Sequence, residues 1–140
     1  MKKTASNPET GDWAEHDVAY SDGVAIEAPT HTRVLVSGII SGEPGLEAQT
    51  RDVLDNIADI VAEFGGSMKD VVRVRVYIKE PYMNEEALET VHDVRHEFFV
   101  REHYPASTLV EVNALVDETS VIEIDADAII PDTEWETEAI

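Results

Sequence analysis

Cysteine is absent from the 140 residues, which rules out disulfides, thiolate nucleophiles and cysteine-based zinc sites. Basic residues are scarce. Ten Lys and Arg stand against 30 Asp and Glu, giving a formal charge of −20 and a pI near 4.3. Binding to nucleic-acid phosphates or anionic lipid depends on cationic neutralisation, so no nucleic-acid or membrane partner is expected. No segment approaches the ~18 consecutive apolar residues of a membrane helix. Met1 to Asn7 carries two lysines with no apolar run behind them, so no signal peptide is expected and the expected location is cytoplasmic.

What is present describes one globular domain. The hydrophobic fraction of 43% is ordinary for a folded protein, and the length suits a single core. Acidic residues run through every segment, the pattern of a halophilic-type protein working where molar salt shortens screening to ~3 Å. Residues 1–16 are polar, with Pro8 and Gly11, and read as a flexible N-terminal arm. Residues 17–131 form the domain, and 132–140 an acidic C-terminal tail extending from the last strand.

Within the domain the hydrophobic period switches between two and 3.6. A weak strand covers 18–26 and a β-rich run covers 33–40. Glu43-Pro44-Gly45 breaks the chain before a helix over about 46–64, where Val53, Leu54, Ile57, Ile60, Val61 and Phe64 form one apolar stripe. Gly65-Gly66 ends it. Residues 71–78 alternate as a strand, and a second helix over about 84–101 buries Leu88, Val91, Val94 and Phe98. Strands near 107–114 and 120–129 close the chain, giving the order β-β-α-β-α-β-β. Each helix lies between strands, so part of the sheet must be parallel.

Side-chain parity then predicts the layers. Val72, Val74, Val76 and Ile78 share one face, as do Thr108, Val110 and Val112, and Ile122, Ile124, Ala126 and Ala128. Both helices need an apolar surface, so the expected fold is α+β: a two-layer sandwich of one mixed sheet covered by two helices. The other face is expected to carry Arg33, Arg73 and Arg75 against Glu111, Glu123 and Asp125, with Leu35, Ile39, Tyr77, Ser107 and Leu109 among them. Its apolar members favour a subunit interface over a purely solvated surface.

Motifs from about Tyr20 to Ile130 add a family. Tyr20-Ser21, Val36-Ser37-Gly38, Leu54-Asp55-Asn56-Ile57, Val76-Tyr77-Ile78-Lys79, Phe98-Phe99, Pro105-Ala106, Val110-Glu111-Val112 and Ile122-Glu123-Ile124 fall in that order. Together they resemble the RidA family, also called YjgF or reactive-intermediate deaminase. The resemblance implies a chorismate-mutase-like fold, a homotrimer around a central barrel of sheets, and small-molecule clefts between subunits without a cofactor. It also implies hydrolysis of reactive enamines or imines to carbonyl compounds and ammonia.

By the same resemblance Glu123 is the water-positioning catalytic carboxylate. Tyr20, Ser37 and Gly38 are cleft residues, His92 reaches the neighbouring cleft from helix two, and Leu109 belongs to the binding strand. Ser107 stands where the family's deaminases carry a carboxylate-gripping arginine. A serine hydroxyl offers one neutral donor where a guanidinium offers two parallel charged ones, a loss of roughly 2–5 kcal/mol. Arg73, Arg75 or an arginine of a neighbouring subunit would have to compensate, although acidic strand neighbours compete for the first two.

His92 and His96 also have the i, i+4 spacing of a zinc-binding helix. Position 93 is Asp where a metalloprotease needs Glu, and His103 lies beyond the helix, so the pair reads as surface or cleft-lining and no metal is expected. Asp52, Asp55, Asp59 and Glu63 read as a solvated helix face. Two function classes follow: an enamine/imine hydrolase, and a trimeric binding or protective protein that holds a small metabolite without turning it over.

Overall fold

In the computed structural model, which describes residues 1–7 and 18–140, the chain builds one mixed sheet with both helices packed on it. The strands are β1 (Lys3–Ser6), β2 (Gly23–Glu27), β3 (His31–Ile39), β4 (Val71–Lys79), β5 (Ala106–Val112) and β6 (Ile122–Pro131). The helices are α1 (Leu46–Glu63), between β3 and β4, and α2 (Glu85–Arg95), between β4 and β5. The sheet order is β1-β2-β3-β6-β4-β5. Among the described strands only β4 and β5 pair in parallel. The last strand inserts between β3 and β4, antiparallel to both, so the α1 crossover spans one intervening strand.

The predicted stripe of α1 is buried at Val53, Leu54, Ile57, Ile60 and Val61, together with Gln49 and Thr50. Phe64 is half-buried against the same core. Helix α2 is shorter than predicted: it ends at Arg95 and buries Ala87, Val91 and Val94. Phe99 follows it into the core, while Phe98 is half-buried. These meet Val34, Val36, Val74, Val76, Ile78, Ile122, Ile124, Ala126 and Ala128 on one sheet face. Burying that apolar area against two helices is the principal stabilising term of a domain this size.

Several expectations change. Lys3–Ser6, placed in a flexible arm, pairs with β2 from Lys3↔Ile26 to Ser6↔Gly23; the rest of that arm, 8–16, lies outside the described residues. The tail folds back: the Trp135 indole Nε1 donates to Asp70 Oδ1 at 2.7 Å, and Asp70 Oδ2 accepts from the Ser67 amide at 2.8 Å. Asp52 is not simply solvated, since Ser41 Oγ donates to its Oδ2 at 2.6 Å.

Two parity predictions fail for a physical reason. A register shift between Val71 and Arg73 buries Val71 and leaves Val72 39% exposed; the bulge moves one residue out of phase. On β5 the expected faces are reversed. Ser107, Leu109 and Glu111 pair with Val74, Val76 and Ile78, so they share the helix side, and Leu109 packs against the core. Thr108 and Val110 pair with Arg75 and Tyr77, and Val110 is 41% exposed.

Candidate functional site

The bare sheet face is organised by β6, whose Ile122, Ile124 and Ala126 point to the core, leaving Glu123, Asp125 and Asp127 on the other side. Arg75 settles between the two aspartates. Its Nη1 donates to Asp125 Oδ1 at 2.7 Å and its Nη2 to Asp127 Oδ2 at 3.5 Å. The Tyr77 hydroxyl donates to Asp125 Oδ2 at 3.1 Å. These bonds and the nearby charges hold the Arg75 guanidinium above its ordinary pKa. Burial and the Asp125 charge raise Tyr77 too. Arg75 is thereby committed.

Glu123 is left without a cation. Its strand partner is Tyr77, and among the described residues no ion pair or side-chain hydrogen bond reaches it. Burial first, and then repulsion from Asp125, push its pKa above the usual glutamate value. A half-buried carboxylate of this kind takes up a proton more readily than a solvated one.

The residues beside Glu123 come from the other strand flanking β6. Between Val36 and Ile39 the β3–β6 register shifts, and Gly38 sits in that irregularity. A Cβ on Gly38 would lie 2.8 Å from Glu123 Oε2 and 2.9 Å from its Cδ, so glycine makes room for the carboxylate. Ser37 Oγ donates to the Ser21 carbonyl at 2.6 Å, and the Ser37 amide donates to the Asp22 carbonyl at 2.9 Å. These two bonds fix the chain leading from Tyr20. The Ser37 hydroxyl has spent its proton there and acts by positioning. Tyr20, Ser37, Gly38 and Glu123 line a cavity of about 680 Å³, with Val116 and Ile40 among its apolar walls.

Buried polar contacts brace this region. Gln49 Nε2 donates to the carbonyls of Glu43 and Thr119, each at 2.9 Å, and the Val121 amide donates to Gln49 Oε1 at 2.8 Å. Ser120 Oγ donates to the Ser41 carbonyl at 3.1 Å. The segment entering β6, two residues before Glu123, is thus tied to α1.

The remaining predicted site residues lie elsewhere. Ser107 pairs with Val74, whereas Glu123 pairs with Tyr77, three positions along β4 and on the opposite sheet face. The expectation that Ser107 and Glu123 share a face is therefore corrected; the reversed parity of β5 separates them. Leu109 goes with Ser107 to the helix side. His92 lines a second cavity of about 240 Å³ with Arg95, His96, Phe99, Tyr104 and Pro105. Among the described residues none is common to the two cavities. Of the two predicted substitute arginines, Arg75 is held by aspartates, and Arg73 pairs in register with Ala106 and Asp127. Among the described residues no group of three or more His, Asp and Glu could hold a metal ion.

Sequence reading missed Arg95, Tyr104 and Val116 as cavity residues. Arg95 carried a signal, since it lies three residues from His92 on the same helical turn. Val116 carried none, because a loop places it.

The chain has matches among known proteins at the level of family and fold. Residues 13–130 match the profile of the family described as Endoribonuclease L-PSP. The chain is 40% identical over 88 residues to a RutC family protein of Pyrococcus horikoshii, covering 63% of this chain and 64% of that protein, less than two thirds of its length. A YjgF-family crystal structure from Mycobacterium tuberculosis matches with a TM-score of 0.76 and 31% identity, over 92% of this chain and all of that one (100%). A RidA structure from an Antarctic Psychrobacter species matches with a TM-score of 0.68 and 25% identity, over 90% of this chain and 94% of that one.

Proposed function

Because the chain belongs to the Endoribonuclease L-PSP family, the RidA/YjgF group, we propose that it hydrolyses small reactive imines and enamines to carbonyl compounds and ammonia. The observation that carries this reading is Glu123: a carboxylate in a cavity, with a raised pKa and no cation among the described residues. A purely structural Glu123 would pair with a strand arginine, and Arg75 instead takes Asp125 and Asp127.

The chemistry is a proton relay around one water. Glu123 accepts a proton from the water as its oxygen bonds to the imine carbon. That proton passes to the imine nitrogen to give a carbinolamine. Glu123 then carries the carbinolamine hydroxyl proton to the same nitrogen, and the C–N bond breaks, so that ammonia leaves as the carbonyl forms. A base whose pKa is raised towards the working pH suits both halves of that cycle. Gly38 lets the carboxylate lie against β3, and Tyr20 and Val116 wall the cavity. Polymeric RNA is the poorer substrate, because 20 excess negative charges oppose its approach.

The same reading assigns the working form to a homotrimer in which the Glu123 cavity of one subunit faces the His92 cavity of the next. Its support is the family resemblance, the two separate cavities, and the uncovered face where Val110 is 41% exposed. Light scattering should give three times the 15.5 kDa chain mass; a monomer would remove this part.

The test of hydrolysis is keto-acid release from 2-iminopropionate generated in situ at molar salt. Glu123→Gln should lower turnover roughly 10²–10⁴-fold. The wild-type acid limb should lie above an ordinary glutamate value: activity requires the carboxylate form, so it is present above the raised pKa and lost as pH falls through it. No acceleration by the wild type, or an acid limb unchanged in Glu123→Gln, removes the reading. A binding protein that holds the metabolite unchanged would be the remaining class.

A further inference from the structure

The cavity between α2 and the start of β5 concentrates basic groups in a chain that has few. His92, Arg95 and His96 line it, and among the described residues no carboxylate does. With 30 Asp and Glu against 10 Lys and Arg, an arginine in this chain would ordinarily have an acidic neighbour. Arg95 has none at helical spacing: the residues three and four away are Val91, His92, Phe98 and Phe99. The acid two residues on, Glu97, is taken by Arg51 at 2.8 Å. Among the described residues Arg95 makes no ion pair and no side-chain hydrogen bond. It is half-buried, and burial pulls its guanidinium below the ordinary arginine value, a cost that a bound anion would offset.

We propose that Arg95 is the anion-binding residue of this protein, holding the carboxylate of a small 2-imino or 2-oxo acid in the cavity walled by Phe99, Tyr104 and Pro105. The planar guanidinium offers two parallel donors matched to a carboxylate. His92 and His96 add ring donors, and the Tyr104 hydroxyl lies 3.3 Å from His96 Nδ1 at the rim. The volume of about 240 Å³ falls below the ~300–1,000 Å³ of drug-sized sites, so the ligand has only a few heavy atoms. A monoanion suits the chain better than phosphate, because the −20 field repels a dianion more strongly. The inference rests on the hydrolase reading only in naming the acid. It also supplies what serine at position 107 cannot.

Calorimetric titration of the whole chain with 2-oxobutanoate, an inert stand-in for the imine, tests it. Saturable binding is expected, weakened roughly 10- to 100-fold in Arg95→Gln and partly restored in Arg95→Lys. Arg33→Gln, which removes the same charge from an exposed position on β3, should leave binding unchanged. The ring ¹⁵N signals of His92 and His96 should shift on titration, a response that a merely structural arginine would not give. Neutral butan-2-one should show no dependence on Arg95. Equal binding in Arg95→Gln, or Arg95-dependent binding of inorganic phosphate alone, overturns the proposal. Arg95-dependent binding without imine turnover would sink the hydrolase reading and leave this one standing. Turnover whose KM ignores Arg95→Gln would do the reverse.

Discussion

Gly38 and Glu123 act as one unit. The carboxylate occupies the space where a side chain on position 38 would start, with 2.8 Å between the virtual Cβ and Glu123 Oε2. A methyl group there meets the far end of a side chain able to swing away, not backbone. Gly38→Ala should therefore cost little stability, under about 1 kcal/mol, while displacing the carboxylate from its cavity. A misplaced base costs on the order of 10²-fold in rate. Parallel thermal unfolding and imine turnover would separate the two effects. A variant that unfolds readily, or one that keeps full activity, would break the link between this glycine and the site. Glu123 also illustrates what sequence does not reveal at this scale. Its place on β6 was legible from alternation. Its lack of a partner was not, because only the register decides that Arg75 faces Asp125 while Glu123 faces Tyr77.

At the scale of elements, Gln49 joins α1 to the segment entering β6. Its amide satisfies two carbonyls and one N–H with the side chain 2% exposed. Gln49→Leu keeps the volume and strands all three groups, so it should destabilise by about 2–4 kcal/mol, read from urea denaturation. A loss below about 0.5 kcal/mol would mean that water replaces the amide. Nothing in the hydrophobic pattern announced this brace; a glutamine on the apolar stripe of a helix looks like an interruption. The long elements were legible because α1, β4 and β6 each bury many side chains at one strict period. Strand β5 was not. In Ala106–Val112 apolar residues occupy both parities, Val110 and Val112 on one and Leu109 on the other, and an edge strand buries too little to decide. Its parallel register on β4 decides instead, and that depends on the α2 crossover. Adjacent valines at 71 and 72 likewise hid the bulge that exchanges their burial. The same reversal divided the predicted site, sending Ser107 to the helix side and leaving Glu123 on the bare one.

For the molecule as a whole, charge is the dominant unbalanced term. The described ion pairs are few and mostly exposed: Arg51–Glu97 at 2.8 Å and Arg75–Asp125 at 2.7 Å are close, while Lys2–Glu27 and Lys69–Glu134 are at 3.9 Å. Pairs of this sort contribute about 0–1 kcal/mol each, whereas 20 uncompensated negative charges repel one another throughout the compact state. Salt weakens both effects, and the repulsion is the larger. On going to molar salt, screening contracts from ~10 Å at 0.1 M to ~3 Å at 1 M, so stability should climb with KCl. Several degrees of Tm are expected, at roughly 4 °C per kcal/mol for a chain of this size. Choline chloride should act like KCl if screening is responsible, whereas a rise confined to potassium would point to bound cations. A melting temperature that is flat or falls with either salt would show that the ion pairs outweigh the repulsion, and the acidic surface would then need a different explanation.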